Sequence, residues 1–340
     1  MARRQLMSAQ DWQVRLDPAT GEREIIRHYT LDEDDLDVIM RKRRDVNRLG
    51  FALTVCLMRH PDRAMEQGEV IPLPIVQYVA RQLAFTPDVF DNDASRDRER
   101  RKQLAQAMRQ FGFLGFDRAA LRDLIAWLTP AAQVNRKPGP LIDRLIAELR
   151  RRKMLLPSPR VLELVVVQAR LRGERILHEA LTGPLTDDQR SALDALLSLR
   201  AQTPMTHLAW LQTGSRSPAA RNITGMIERL DVVRGLGLDH RLAERVPSQV
   251  FERLAAEGRR MSAQHIGDLA RDRRHAVLLA TLIALETELT DASLFARQSP
   301  CFALVRQAGG VVGLRVSNAV KRRRRATLAK PAGTKHSAAR

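Results

Sequence analysis

Two sets of charged side chains crowd into residues 30–63, TLDEDDLDVIMRKRRDVNRLGFALTVCLMRHPDR, and each has a chemistry open to it. Arg41, Arg44 and Arg48 recur every three or four residues, the spacing that puts guanidinium groups on one side of a helix, where they can pair with phosphates. Asp32, Glu33, Asp34, Asp35 and Asp37 could ligate a metal ion. They also stand where a helix begins, and carboxylates there answer the positive end of the helix dipole. That second explanation accounts for the acids without a metal.

The element that must carry these residues is an amphipathic helical segment. Thr30 and Glu33 have the spacing of a capping box, and Pro61 stops the pattern. At 100° per residue Val46, Leu49, Leu53, Cys56 and Leu57 share one face, while Arg41, Arg44, Arg48 and Arg59 lie roughly opposite. A solvated basic face over a core-facing stripe and a phosphate-contacting face both fit this pattern.

Composition narrows the field. The 340 residues are enough for two or three domains that each bury a core. The two cysteines, Cys56 and Cys301, fall in no metal-binding spacing, which fits a reducing compartment and argues against a zinc module. No apolar run reaches bilayer-spanning length and no signal peptide follows the start, so a cytoplasmic protein with no membrane partner is expected. The net charge of +18 suggests a polyanion partner, usually nucleic acid. Its distribution tempers the point: residues 292–340 hold eleven Lys or Arg and no acid, leaving 46 basic and 39 acidic residues before them.

Along the chain, SAQDWQVRL reads as a helix with a Ser8–Asp11 cap, followed by a turn at DPATGE. Helical spacing returns in IPLPIVQYVARQL. The stretch DNDASRD superficially resembles a calcium loop, but Arg96 stands where a glycine is needed and Lys102 where the last carboxylate should be, so its acids are read as a cap for SRDRERRKQLAQAMRQFGF. That helix carries a second basic cluster at Arg98, Arg100, Arg101 and Lys102. A helix from Asp117 to Trp127 leads into a loop, TPAAQVNRKPGP. The next helix ends in Arg150, Arg151, Arg152 and Lys153, where a charge clamp on the helix C-terminus and a phosphate contact fit equally well. Pro157 and Pro159 mark a domain joint. Beyond them lie a helix over about 160–181, a Thr186–Gln189 cap, SPAARNITGMIERLDVVRGLGL with Ser217 and Pro218 at its start, and a Ser262 cap before a long apolar helix. No run of alternating strands is found. The reading is all-α and multi-helical, with two or more small helical domains. After Asp291 helical patterning stops and a basic, disordered tail is expected.

The chemistry of catalysis is not legible. There is no P-loop, no complete G-x-G-x-x-G and no H-E-x-x-H. The histidines His60, His207, His240, His265 and His275 have no partner at motif spacing and read as packed, capping or solvated residues. No cofactor and no small-molecule substrate is indicated.

A set of segments, in order, resembles the N-terminal part of the Tn-three-type bacterial transposases, which carry out replicative, cointegrate-forming transposition. They are YTLDEDDLDVIMRKRRDVNRLGFALTVCLMRHP, IVQYVARQL, WLTP, RLIAELRRRKMLLPSPRVLE, LTDDQRSALDALL, SPAARNITGMIERLDVVRGLGL and MSAQHIGDLARDRRHAVLLATLIALETELTD, spanning about residues 6–291. The resemblance implies helical DNA-binding domains that recognise the transposon's terminal inverted repeats. It places catalysis in a later ribonuclease-H-like domain with an Asp-Asp-Glu triad, which is not recognised here, so no catalytic residue is carried over and the chain is expected to be no enzyme. The expected organisation is a lead-in over 1–29, a first DNA-binding domain over 30–156, a second helical domain over 157–290, and an out-of-frame or disordered tail over 291–340. The expected partners are double-stranded DNA and a full-length transposase, in a bacterial cytoplasm at the nucleoid. Candidate phosphate contacts are Arg41, Arg44 and Arg48, joined by Lys137, Arg216 and Arg221 in or beside loops. A helical protein-interaction or dominant-negative fragment and a decayed product without function are the rival readings.

Overall fold

A computed structural model describes residues 6–64, 69–90, 97–213 and 220–297. It is all-α: fifteen α-helices and two short 3-10 turns, with no strand among the described residues beyond three isolated bridges. The chain divides into two compact units, residues 1–175 and 176–340.

The first unit holds two apolar cores. One is built on α2 (Glu22–Tyr29), α3 (Glu33–Met40), α4 (Asp45–Arg59), α5 (Leu73–Gln82) and α6 (Asp97–Phe111). The other joins α1 (Ala9–Leu16), α7 (Arg118–Val134), α8 (Pro138–Arg151) and the start of α9 (Pro159–Thr182). Extended backbone stitches the two together: Leu156 N–H donates to Asp62 C=O at 2.7 Å, and Leu114 N–H to Lys153 C=O at 2.8 Å. Arg150 adds an ion pair to Asp62 at 2.7 Å.

The segment over residues 30–63 is two helices. The start lies at Asp32, not Thr30: Asp32 accepts from Asp35 N–H at 2.8 Å and Asp35 accepts from Asp32 N–H at 3.1 Å, a capping box two residues later than expected. Thr30 instead spends its hydroxyl on Ile26 C=O, closing α2. α3 then ends at Met40, and a basic turn, Arg41 to Arg44, leads into α4. α4 is not amphipathic, since every residue from Leu49 to Met58 is buried. Helices on several sides enclose it, so its apolar surface faces inward all round.

α2 has no counterpart in the sequence reading. Glu22 and Glu24 open it, and Tyr29, wholly buried, donates no surface to solvent while its hydroxyl accepts from Ala19 N–H at 3.1 Å. α7 also differs, continuing past Trp127 to Val134 with Pro130 inside it. Proline removes one helical donor there. The donor lost is the one to the Ala126 carbonyl; the Thr129 hydroxyl bonds the neighbouring Ile125 carbonyl at 2.6 Å, and burial of Leu128, Thr129 and Ala132 holds the turn. The calcium-like loop at residues 91–96 lies outside the described residues.

The second unit is organised by α15 (Arg271–Arg297), which extends past Asp291, where the sequence pattern had ended. Its residues Ala276 to Leu282 are buried, with α10 (Asp187–Ala195), α12 (Ala220–Gly235), α13 (Ser248–Arg260) and α14 (Ala263–Gly267) packed around it, and α11 (His207–Leu211) joining the same core. α13 approaches α15 closely at Gly258, where a Cβ would stand 2.1 Å from Thr281 Oγ1. The expected caps at Thr186–Gln189 and Ser262 are present, and α12 ends at Gly235.

Candidate nucleic-acid interface

Among the described residues of the first unit, Arg15, Arg48, Arg59, Arg63, Arg136, Arg150, Arg151 and Arg152 pair with carboxylates. Arg59 reaches across from α4 and pairs both guanidinium nitrogens with Asp35, at 2.6 and 2.5 Å, and the Asp35 side chain has no solvent exposure. Arg59 shares a face of α4 with Arg48, but other helices cover α4 on that side too, so the face meets Asp35 instead of solvent. Arg63 pairs with Glu69 and also donates to Leu16 C=O at 3.0 Å. Of the run closing α8, Arg150 meets Asp62, Arg151 and Arg152 both meet Glu148, and Arg152 adds Asp123. Hydrogen bonds from Arg151, then from Arg152, hold the Glu148 carboxyl down at about 2. Arg150, Arg151 and Arg152 of this run are thus each paired with a carboxylate.

The turn between α3 and α4 is different. Arg41 occupies the C-cap of α3, Arg43 follows, and Arg44 takes the N-cap of α4; all three are exposed and none has a carboxylate partner among the described residues. Arg44 offers no side-chain cap, so the first N–H groups of α4 lack a side-chain acceptor and leave a positive helix end beside three cations. Lys42 lies over the Phe51 ring, 4.0 Å from its centroid, and donates to Gln106 Oε1 on α6. A turn of this kind can take up phosphate by charge-assisted hydrogen bonds.

Arg48 stands one turn further on and is committed inward. Its Nε donates to Lys42 C=O at 2.9 Å, Nη1 to Asp45 at 2.9 Å and Nη2 to Met40 C=O at 3.4 Å, tying the end of α3 to the start of α4. The structure therefore brings Arg41, Arg44 and Arg48 together but leaves only the first two with unshared charge. Lys137 is exposed at the N-cap of α8, where its N–H donates to Asn135 Oδ1 at 3.0 Å, and it belongs to the part of the unit built on the other core. Arg216 lies outside the described residues. Arg221 is in the first turn of α12, and its side chain lies outside them too.

Sequence reasoning left out Arg43, and on α6 it marked the basic cluster at Arg98, Arg100, Arg101 and Lys102 but not the exposed face that continues through Ala105, Gln106 and Arg109. The signal was present: no acid occurs between Arg100 and Phe116. Two other polar clusters are structural. His28 and His60 stack with ring centroids 4.0 Å apart, and burial, then His28 and then Arg150, pushes His60 down to about 4. His275, wholly buried on α15, shares Asp194 with Arg274, at 3.1 and 2.9 Å. Among the described residues no three His, Cys, Asp or Glu side chains gather as a metal site would require, and no helix is long and apolar enough to cross a membrane.

Comparison with known proteins adds ancestry to this geometry. A family model described as a domain of unknown function, DUF4158, matches residues 6–169. The chain is 31% identical over 291 residues to the transposase for transposon Tn501 of Pseudomonas aeruginosa, covering 86% of this chain and 30% of that protein. Against the transposase for transposon Tn3926 of Escherichia coli it is 32% identical over 291 residues, covering 86% and 29%. Against that for transposon Tn21 of Escherichia coli it is 32% identical over 288 residues, covering 85% and 29%. The chain thus spans about 30% of the length of the curated relatives it matches.

Proposed function

We propose that this chain, a member of the Tn-three-type transposase family, binds double-stranded DNA at transposon terminal inverted repeats, with the turn Arg41 to Arg44 on the phosphate backbone. The observation that carries this reading is the contrast along one stretch: Arg48, Arg59 and Arg63 are matched to carboxylates, whereas Arg41, Arg43 and Arg44 stand exposed and unmatched at a helix start. Unmatched exposed cations are wasteful for folding and useful for a polyanion, because each phosphate neutralised releases condensed counterions.

In this reading the residues of 30–156 supply the first DNA-binding surface and those of 157–290 a second, with Lys137, Arg216 and Arg221 as further contacts. Phosphate contacts fix register and carry most of the affinity, and base contacts carry the sequence preference. A full-length transposase is a further partner in this reading.

The test is duplex binding by the full chain across a salt series. Arg41→Ala and Arg44→Ala each flatten the dependence of log affinity on log salt by about 1, on all sequences alike. Arg48→Ala leaves that slope unchanged and lowers stability instead. An unaltered slope in the first two variants removes the turn from the interface.

A further inference from the structure

We propose that α6 is a base-reading helix, with the exposed stripe Arg101, Ala105, Gln106 and Arg109 laid against the major-groove edges of the DNA whose phosphates the Arg41–Arg44 turn holds. This rests on the reading of the chain as a duplex-binding protein and adds to it the element that supplies sequence preference.

Three observations converge on α6. Its inward side is settled, because Gln103 and Ala107 are buried, Leu104, Met108 and Phe111 pack on the core, and the helix lies along α4. Its outward side is therefore fixed in orientation by an enclosed helix. Arg101, Ala105, Arg109, Lys102 and Gln106 fall within an arc of about 140° at 100° per residue, and all are exposed.

The chemistry of that arc suits base edges. Arginine donates in a fork to guanine O6 and N7, a carboxamide matches adenine N6 and N7, and a methyl side chain meets the thymine methyl. No carboxylate lies between Arg100 and Phe116 to repel the backbone or compete for the arginines. Arg101 has no carboxylate partner among the described residues, and Arg109 has only its own helix's Ala105 C=O, at 3.2 Å from Nε. From Arg101 to Arg109 the stripe is about 12 Å long at about 1.5 Å per residue, which faces three to four base steps of about 3.4 Å.

The surface is continuous with the phosphate-binding turn. Lys42, inside that turn, donates to Gln106 Oε1 in the middle of the stripe. A duplex that places phosphates against Arg41 and Arg44 brings an adjacent groove to Gln106. This is the division of labour between positioning and reading that sequence-specific binding requires.

The experiment is selection of bound duplexes from a random-sequence pool by the full chain, followed by sequencing, for wild type, Gln106→Ala and Arg109→Ala. All three are first checked for equal helical content by circular dichroism. Wild type enriches one motif. Arg109→Ala erases a guanine preference and Gln106→Ala an adenine preference at single neighbouring positions, each by about 5- to 150-fold, while the rest of the motif survives. If both variants return the wild-type motif, α6 is a solvated face and the proposal is overturned. Retention of the pool by wild type without any motif also overturns it, yet leaves duplex binding through the turn intact. No retention of the pool removes the DNA-binding reading itself.

Discussion

Charge pairing at individual residues decides which arginines serve the fold. Asp35 has no exposure and both its oxygens lie on Arg59, so Arg59→Leu strands a buried carboxylate and lowers stability by about 3–5 kcal/mol. Urea denaturation reads this, and adding Asp35→Asn restores part of the loss; full stability in the single variant would contradict the pairing. His60 gives a pH dependence. Its folded pKa, about 4, lies below the ordinary 6.5, so between these values the unfolded chain binds a proton that the folded chain refuses. Stability is unaffected by this group above about pH 6.5 and falls as pH drops toward 4. His60→Asn flattens the stability profile across that window, as measured by denaturation at a series of pH values. None of these partnerships was visible in the sequence. Asp35 and Arg59 are 24 residues apart, and helical spacing ranks Arg48 and Arg59 with Arg44 because periodicity records direction and not partners.

For single helices, the pattern of apolar spacing located most of the core and failed where tertiary structure supplied what local chemistry withheld. α5, α10 and α14 begin where caps or prolines indicated, because those signals are local, whereas α8 starts at Pro138, inside the stretch read as loop. α7 runs on through Pro130 because burial of Leu128, Thr129 and Ala132 holds the turn in place, which no local pattern records. The segment over 30–63 read as one helix because the basic turn keeps helical spacing across a break in the backbone. In the second unit the closest helix contact is the one most sensitive to a single methyl. Gly258→Ala puts a Cβ against Thr281 Oγ1 at 2.1 Å and Val277 Cγ1 at 2.9 Å, and either α13 or the Thr281 hydroxyl bonded to Val277 C=O must shift. The expected cost is about 1–3 kcal/mol, read as a lower urea midpoint, with an unchanged midpoint showing that the pair can part freely.

For the whole molecule, net charge is a poor guide to where the folded units are basic. The +18 is concentrated toward the end of the chain, and residues 298–340 alone contain ten Lys or Arg. Deleting them is expected to weaken binding to every duplex and to reduce its salt dependence while the enriched motif stays the same, as read by the same selection. A lost motif would place sequence recognition in the tail. The fold class and the likeness to transposases were legible from the sequence, because both are written in long stretches. The division of arginines between fold and partner was not, because it depends on which distant acid each one meets.

The enclosure of α4 has one more consequence. A helix buried on every side bears the stability of its core, while α6 shows a free face to solvent on the same support. In the proposed reading, the residues that choose a target line the exposed face of α6, while Leu104, Ala107, Met108 and Phe111 on its other face hold it to the core. A lineage of such proteins can acquire new recognition sequences by exchanging side chains at 101, 105, 106 and 109 without approaching the threshold at which the molecule unfolds.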